Sequence, residues 1–411
     1  MKGLQIIKKG GGISRTSVSQ DGISGLLMQY VPINAYQKGK QGGKVKTEEE
    51  VVVYRLSSVE DAKNYGFTPE YDIEHEIFVY RHIAEFFRMN PNGDLFIGLL
   101  PMNLSYTAVV ANALSFLKKA EGKIRQLGII YNGTVPFNFN SEIKNVVAKA
   151  QTIYDQAYAE AMPCHILLEG RNFQYEAGVQ NSPNLRSFNA PNVSVTIVQD
   201  LDFALENNWN SLQAEKNYHY ADVGTVLGTI SRAAVHQSIG WVKEFNIYGG
   251  SLTVAALSTI PISEIAQGDL KTLDEKGYIL CKLYSGLDGI RLNGGPTCTT
   301  ENDDLSYLEY ARTMDKAVRG IYTNCLPFVE SNLYISPQTQ MIDPTNLKMI
   351  EIEASKAFER MVAEREISYY NIFIDPKQDI LGTGILDLEF AIVPTGVARM
   401  VRATVGFKAN I

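Results

Sequence analysis

Leu95-Phe96-Ile97-Gly98-Leu99-Leu100-Pro101 is an apolar run of strand length stopped by a proline, and Thr107 to Lys119 after it switches to a helical period. A strand with no polar alternation is buried on both faces, which occurs where helices cover both sides of a parallel sheet. The pattern repeats outward from there. Gly128 to Tyr131, Cys164 to Leu168 and Val193 to Val198 read as strands, Ser141 to Ala161 as an Ala-rich helix, and Asp222 to Val235 as a helix capped by Asp222. The reading for this region is an open α/β sandwich with a largely parallel sheet. Upstream, Ile13 to Ile33 reads as strand and turn, between two glycine-rich hinges, Gly10-Gly11-Gly12 and Lys38 to Lys46.

After residue 247 the character changes to α+β. Tyr278 to Tyr284 and Gly289 to Leu292 read as strands, and Asn293 to Asp304 as a polar loop. In the helix that follows, Leu305, Leu308, Ala311, Met314 and Val318 form an apolar stripe, with Glu309, Arg312, Lys316 and Arg319 on the other face. Asp343-Pro344 starts a second helix, about Asn346 to Glu366, with the stripe Leu347, Ile350, Ala354, Phe358 and Met361. Two closing strands are expected, Ile385 to Val393 and Val397 to Phe407. The last carries Val397, Val401, Ala403, Val405 and Phe407 on one face, interrupted by Arg399.

The chain has 411 residues, of which 45% are hydrophobic and 20% charged, so it is neither disordered nor fibrous. A net charge of −7 argues against a nucleic-acid-binding surface as its main function. Cys164, Cys281, Cys298 and Cys325 are far apart, with no CxxC, and read as reduced residues. The N-terminus has no secretory apolar stretch, and no run approaches the roughly 20 residues of a membrane-spanning helix.

In an α/β sandwich, ligands sit at the carboxyl ends of the strands. The loops there read Pro-Met-Asn, Asn-Gly-Thr and Glu-Gly-Arg, and neither GxGxxG nor GxxxxGK[ST] occurs at a strand-to-helix junction. Asn132 and Gly133 read as a plain turn. His75-Glu76 begins like HExxH, but position 79 is Val79. His82 follows one heptad later and leaves open a paired metal site or two solvated or packed histidines. His165 reads as a core residue, His219 as part of an aromatic loop with Tyr218 and Tyr220, and His236 as a helix-end cation. Asp303-Asp304 reads as helix capping, while Asp387 and Glu389 are either an acid pair or a solvated face. No catalytic, cofactor or metal residue is assigned.

Tyr307-Leu308-Glu309-Tyr310-Ala311-Arg312-Thr313-Met314-Asp315 through Arg319 is followed by Leu326-Pro327-Phe328-Val329-Glu330-Ser331-Asn332. Then come Ile372-Phe373-Ile374-Asp375-Pro376, a strand ending in Val393-Pro394, and Arg402-Ala403-Thr404-Val405-Gly406-Phe407. This order resembles the C-terminal core of contractile tail sheath proteins of phages and phage-like contractile injection systems. Gly11-Gly12-Ile13 matches loosely, although many sheaths begin with a Gly-Val-Tyr type strand and this chain has Gly12-Ile13-Ser14-Arg15. The resemblance implies a virion structural protein with no enzymatic activity and no cofactor. Such a homo-oligomer forms hexameric rings stacked helically around a tail tube protein, contacts baseplate and tail terminator proteins, and contracts to drive the tube through a target envelope. It implies assembly in the bacterial host cytoplasm into a virion tail or phage-like particle, with no nucleic acid and no membrane insertion.

The expected organisation is an N-terminal arm at 1–20, a discontinuous sheath core from 21–60 with 250–395, an inserted α/β outer domain at 61–249, and a C-terminal arm strand at 396–411. Val397, Val401, Val405, Phe407, Leu4 and Ile6 are the expected inter-subunit strand residues. A lone terminal strand gains most by joining a sheet, in its own subunit or in a neighbour. By order, the helix with Lys348, Lys356 and Arg360 is the expected tube-facing element, although Glu353, Glu359 and Glu364 make it equally an ordinary solvated face. The rival reading is an α/β hydrolase or nucleotide-binding enzyme without a recognisable motif, resting on fold analogy alone.

Overall fold

Six strands that precede residue 197 run through the middle of the molecule: β1 (Ser24–Gln29), β2 (Val52–Leu56), β3 (Leu95–Leu100), β4 (Gln126–Ile129), β5 (His165–Glu169) and β6 (Val193–Thr196). The computed structural model describes residues 20–33, 51–204, 220–250 and 252–406. After a small antiparallel sheet of β7 (Gln199–Asp200), β8 (Ala255–Leu257) and β9 (Ile260–Pro261), strand β10 (Tyr278–Ile279) returns to the main sheet. That sheet is seven-stranded in the order β10-β6-β5-β4-β1-β3-β2. All neighbours are parallel except β2, which runs antiparallel to β3 at the edge. Every residue of β1, β3, β4, β5 and β6 is buried, as the unbroken apolar runs require of a sheet covered on both faces.

The expected domain division fails at its first boundary. Ser24-Gly25-Leu26-Leu27-Met28-Gln29 does not join the C-terminal residues; it is the strand between β3 and β4, with Leu26 opposite both Ile97 and Gly128. A strand buried on both faces needs a doubly covered sheet, and the C-terminal part has only a two-stranded sheet with one face open. Residues 20–33 and the described residues of 51–292 therefore build one body, and the segment expected as Tyr278 to Tyr284 splits between β10 and β11 (Cys281–Tyr284), which pairs with β12 (Leu287–Leu292).

Among the covering helices are α1 (Val59–Asn64), α2 (Pro69–His75), α3 (Tyr80–Met89), α4 (Tyr106–Ala111), α5 (Ala113–Lys119), α6 (Phe139–Ala159), the short α7 (Leu201–Ala204), α8 (Val223–Arg232) and α9 (Gln267–Glu275). The helix expected over Thr107 to Lys119 is broken at Asn112, whose side-chain amide donates to Ala108 O. Helices α3 and α8 cross at contact distance because Gly224 and Gly228 lack side chains. A Cβ at Gly224 would lie 2.4 Å from His82 O, and one at Gly228 would lie 2.6 Å from Phe86 O.

The C-terminal part is carried on α10 (Leu308–Cys325), about 27 Å long at 1.5 Å per residue. Its first half docks in the body and its second half projects, with Tyr322 and Leu326 each 50% exposed. Lys316 reaches Glu364 while Gly320 abuts Ala357, so α11 (Pro344–Ala363) runs antiparallel to it. Strand β13 (Ile367–Phe373) then pairs with β14 (Glu389–Pro394). Ala317, Phe358, Met361 and Ile367 form a small second core, lined further by Tyr370, Ile372, Phe390 and Ile392 from one face of that hairpin.

Candidate assembly surface

The carboxyl ends of the parallel strands, where an α/β enzyme would hold its chemistry, are occupied by side chains that tie loops together. Glu169 accepts the N–H groups of Tyr131 and Ala221 at 2.8 and 3.1 Å, and Asp72 accepts those of Val79, Tyr80 and Arg81. Asn132 is no plain turn residue: it donates to Gln29 O, accepts from Phe78 N–H, and gives its own N–H to Gln29 Oε1. Asp222 caps α8 through Thr225 N–H and pairs with the buried Arg81 at 3.4 Å, and burial raises its pKa. These carboxylates are spent on backbone donors and on an arginine, a structural use of buried charge.

His75 ends α2 against the Tyr71 ring, while His82 lies inside α3, so the two do not share a helix face. His82 accepts Gly224 N–H on Nδ1, and burial drives its pKa down to about 3. His165 sits in the core 3.0 Å from Ser194 Oγ, its pKa likewise lowered to about 3 by burial. His236 is not a helix-end cation, because burial and the nearby Lys316 and Arg312 favour its neutral form. The cation at the end of α8 is Arg312 instead, which donates to the Ala233 and Ala234 carbonyls. Asp303 orders a turn ahead of α10 by accepting Leu305 N–H, and Glu389 is an exposed strand residue. His219 lies outside the described residues. Among the described residues no group of three or more His, Cys, Asp or Glu is placed to hold a metal, and no helix is long and apolar enough to cross a membrane. Cys164, Cys281, Cys298 and Cys325 are free thiols, the first three buried.

The amphipathic reading of α10 holds only in part: Leu308 and Ala311 of the apolar stripe are fully buried, but so is much of the face expected to be solvated. Met314 is 40% exposed, whereas Glu309, Arg312 and Asp315 are buried. Tyr154 donates to Asp315 at 2.6 Å, and Lys316 bridges Asp21, Glu364 and Glu366, with Arg319 also on Asp21. Burial raises the pKa of Asp315 to about 6. The polar face is thus buried or half-buried along with the stripe, each charge meeting a partner from a distant part of the chain.

The surface that remains unpartnered is C-terminal. The hairpin of β13 and β14 is a complete sheet of two strands, so each has a free outer edge among the described residues. One face packs on Phe358; the other shows Tyr369 at 60%, Phe373 at 53% and Val393 at 50% exposure. Beyond Pro394 the expected strand is absent from the single subunit: no residue from 395 to 406 belongs to a strand. Backbone without an edge to pair with does not register as strand, whatever its side-chain period. Val397 is half-buried, while Val401 and Val405 are 84% and 95% exposed. Phe407, Leu4 and Ile6 lie outside the described residues. On α11, Lys348, Lys356 and Arg360 are exposed and paired along the helix with Glu351, Glu353 and Glu364 at 2.6 to 2.9 Å. The residues that sequence reasoning missed are Lys316 as the link between body and hairpin module, and Arg399, whose guanidinium lies 2.6 Å from Glu309.

Among curated proteins no sequence matches. Among solved structures, the helical sheath of the anti-feeding prophage in its contracted state is similar at 14% identity and a TM-score of 0.63, over 99% of both chains. A chain of the six-fold symmetrised baseplate of the same prophage aligns at 13% identity and 0.59, again over 99% of both. The sheath complex of an extracellular contractile injection system, PVC, in the contracted state, aligns at 10% and 0.55, over 98% of this chain and 99% of that one. The fold is thus the one found in contractile sheaths. The models for the DUF2586 N-terminal domain and the DUF2586 C-terminal domain match residues 39–292 and 304–411, the body and the projecting module, and on that match the chain belongs to the DUF2586 family.

Proposed function

We propose that this protein is the structural subunit of a contractile tail sheath. It polymerises as hexameric rings stacked helically around a tail tube, between baseplate and terminator proteins, and contracts to drive the tube through a target cell envelope. It acts in a virion tail or phage-like particle assembled in the bacterial host cytoplasm, and its role is mechanical. The observation that carries this reading is end-to-end likeness, 99% of both chains, to the contracted helical sheath of a phage-like particle. The bridging of loops by the buried carboxylates at the strand ends speaks against the rival enzymatic reading.

The hairpin and the segment after it supply the means of assembly. Among the described residues, the outer edges of β13 and β14 present rows of N–H and C=O groups without a strand beside them, and the segment with Val401 and Val405 is an apolar strand sequence that pairs with no strand. Strand exchange between neighbouring subunits joins the two, with the arm that holds Leu4 and Ile6 as its counterpart. Helix α11, through Lys348, Lys356 and Arg360, faces the tube. The test is negative-stain microscopy of the purified chain against a Val401→Asp/Val405→Asp variant. Both residues are exposed, so the variant subunit should melt like the wild type. Striated tubes from the wild type and dispersed particles from the variant are expected; dispersed particles from the wild type under all assembly conditions would sink the sheath reading.

A further inference from the structure

The root of the C-terminal arm is held down at a defined place. Thr395 Oγ1 donates to Arg365 O at 2.9 Å, and four residues on, Arg399 reaches back to the first turn of α10. There its Nη2 donates to Glu309 Oε1 at 2.6 Å and its guanidinium lies over the Tyr307 ring, with Tyr310 also within cation–π distance. Tyr307 itself is fixed from the body: Arg186, buried, lies 5.0 Å from its ring and donates to the carbonyls of Thr297, Thr299 and Ser306. The Glu309 side chain is fully buried, and its Oε2 has no hydrogen-bond partner among the described residues. Arg312 is also near, but Arg399 is the charge that hydrogen-bonds this carboxylate, and a buried carboxylate holds such a partner strongly. Immediately beyond the contact the chain is bare, with Met400 at 72% and Val401 at 84% exposure.

We infer that Arg399 is a positioning residue for strand exchange: its clasp on Glu309 and Tyr307 fixes the root of the arm on its own subunit, so that the segment given to a neighbour, a second copy of this chain, begins at Met400. The inference rests on the strand-exchange reading. The charge that interrupts the apolar side of the terminal strand is thereby explained, since Arg399 belongs to the anchor and not to the exchanged strand. A pinned root shortens the tether and raises the effective concentration of the arm at the edge it must find.

The test uses three full-length chains: wild type, Val401→Asp/Val405→Asp, and Arg399→Met/Glu309→Gln. The double change at the clasp removes the pin and the buried carboxylate together, and Arg312 keeps the Ala233 and Ala234 carbonyls and the nearby Asp21 and Glu366, so folding is expected to survive; Arg399→Met alone would confound positioning with stability. Melting of the unassembled subunit, the rate of tryptic cleavage after Arg402 identified by mass, and the critical concentration for tube formation are measured. The clasp variant should melt within about 2 °C of wild type, be cleaved after Arg402 about fivefold faster, and form tubes only at about threefold higher concentration. Wild-type cleavage and critical concentration in the clasp variant would overturn the pin, even where the aspartate variant has lost assembly. Normal tubes from the aspartate variant would instead overturn strand exchange, and the pin with it.

Discussion

Phe358→Ala tests whether the hairpin that offers the open edges is a separate cooperative unit. Phe358 is fully buried, stacks on Tyr370 with ring centroids 5.2 Å apart, and lies 5.7 Å from Phe390. The core it anchors is small: besides Ala317, only Met361 and Ile367 are fully buried with it. At about 1.5–3 kcal/mol per buried large side chain, these three contribute on the order of 5–9 kcal/mol to holding the hairpin on α11. Truncating a buried phenylalanine costs about 3–5 kcal/mol, a third or more of that sum, so the module should open while the seven-stranded body stays folded. Hydrogen exchange read by mass spectrometry checks this. Amides of Ile367–Phe373 and Glu389–Pro394 should lose protection, those of β1 and β3–β6 should keep it, and tube formation should disappear. If all strands lost protection together in one lowered thermal transition, the module would be part of the body's cooperative unit and the reasoning would fail.

Gly228→Ala places a Cβ 2.6 Å from Phe86 O and forces α3 and α8 apart. Overpacking of about 1–3 kcal/mol exceeds the helix-propensity gain of about 1, so the melting temperature should fall, and a rise would contradict the close crossing. His165, kept neutral by burial with Arg312 near it, has its pKa lowered to about 3. Its contribution is complete above the unfolded value near 6.5 and is lost as pH falls toward 3, about 2 kcal/mol by pH 5. The stability gap between wild type and His165→Gln should narrow by that amount between pH 7 and pH 5, and parallel pH profiles would refute it. Lys356→Glu/Arg360→Glu alters two exposed, locally paired residues, so subunit stability should change by less than about 0.5 kcal/mol. Tube-templated assembly should fall while tube-free polymerisation persists; equal loss in both would give α11 to contacts between sheath subunits.

The α/β body was legible because its signal is local. Leu95–Leu100 is a strand at the boundaries its sequence suggests, and Asp222 caps α8 as its position before an apolar helix requires. What periodicity could not supply was pairing. Nothing in Ser24–Gln29 states that its neighbours are β3 and β4, which lie 66 and 97 residues or more downstream in the chain, so its assignment to the C-terminal part failed on register and not on secondary structure. Strand β13 is not legible from periodicity, because the register shift between Ile367 and Tyr369 breaks the alternation that marks a strand.

The burial of the polar face of α10 has a different cause. An apolar stripe at spacings of three and four locates the side of a helix from which water is excluded only if the polar residues opposite are solvated. On α10 they are not: Arg319 pairs with Asp21, 298 residues earlier, Arg312 meets the carbonyls ending α8, and Glu309 meets Arg399, 90 residues later. A charge gives no local sign of whether its partner is water or another residue, and for these three the partner is brought by the fold. Since Met314 on the apolar side is 40% exposed, the helix is seated in the body by its ion pairs as much as by its stripe. Removing one partner from a buried pair of this kind leaves a charge without water or counter-ion, at a cost of about 3–5 kcal/mol, so these contacts hold the first half of α10 firmly in the body.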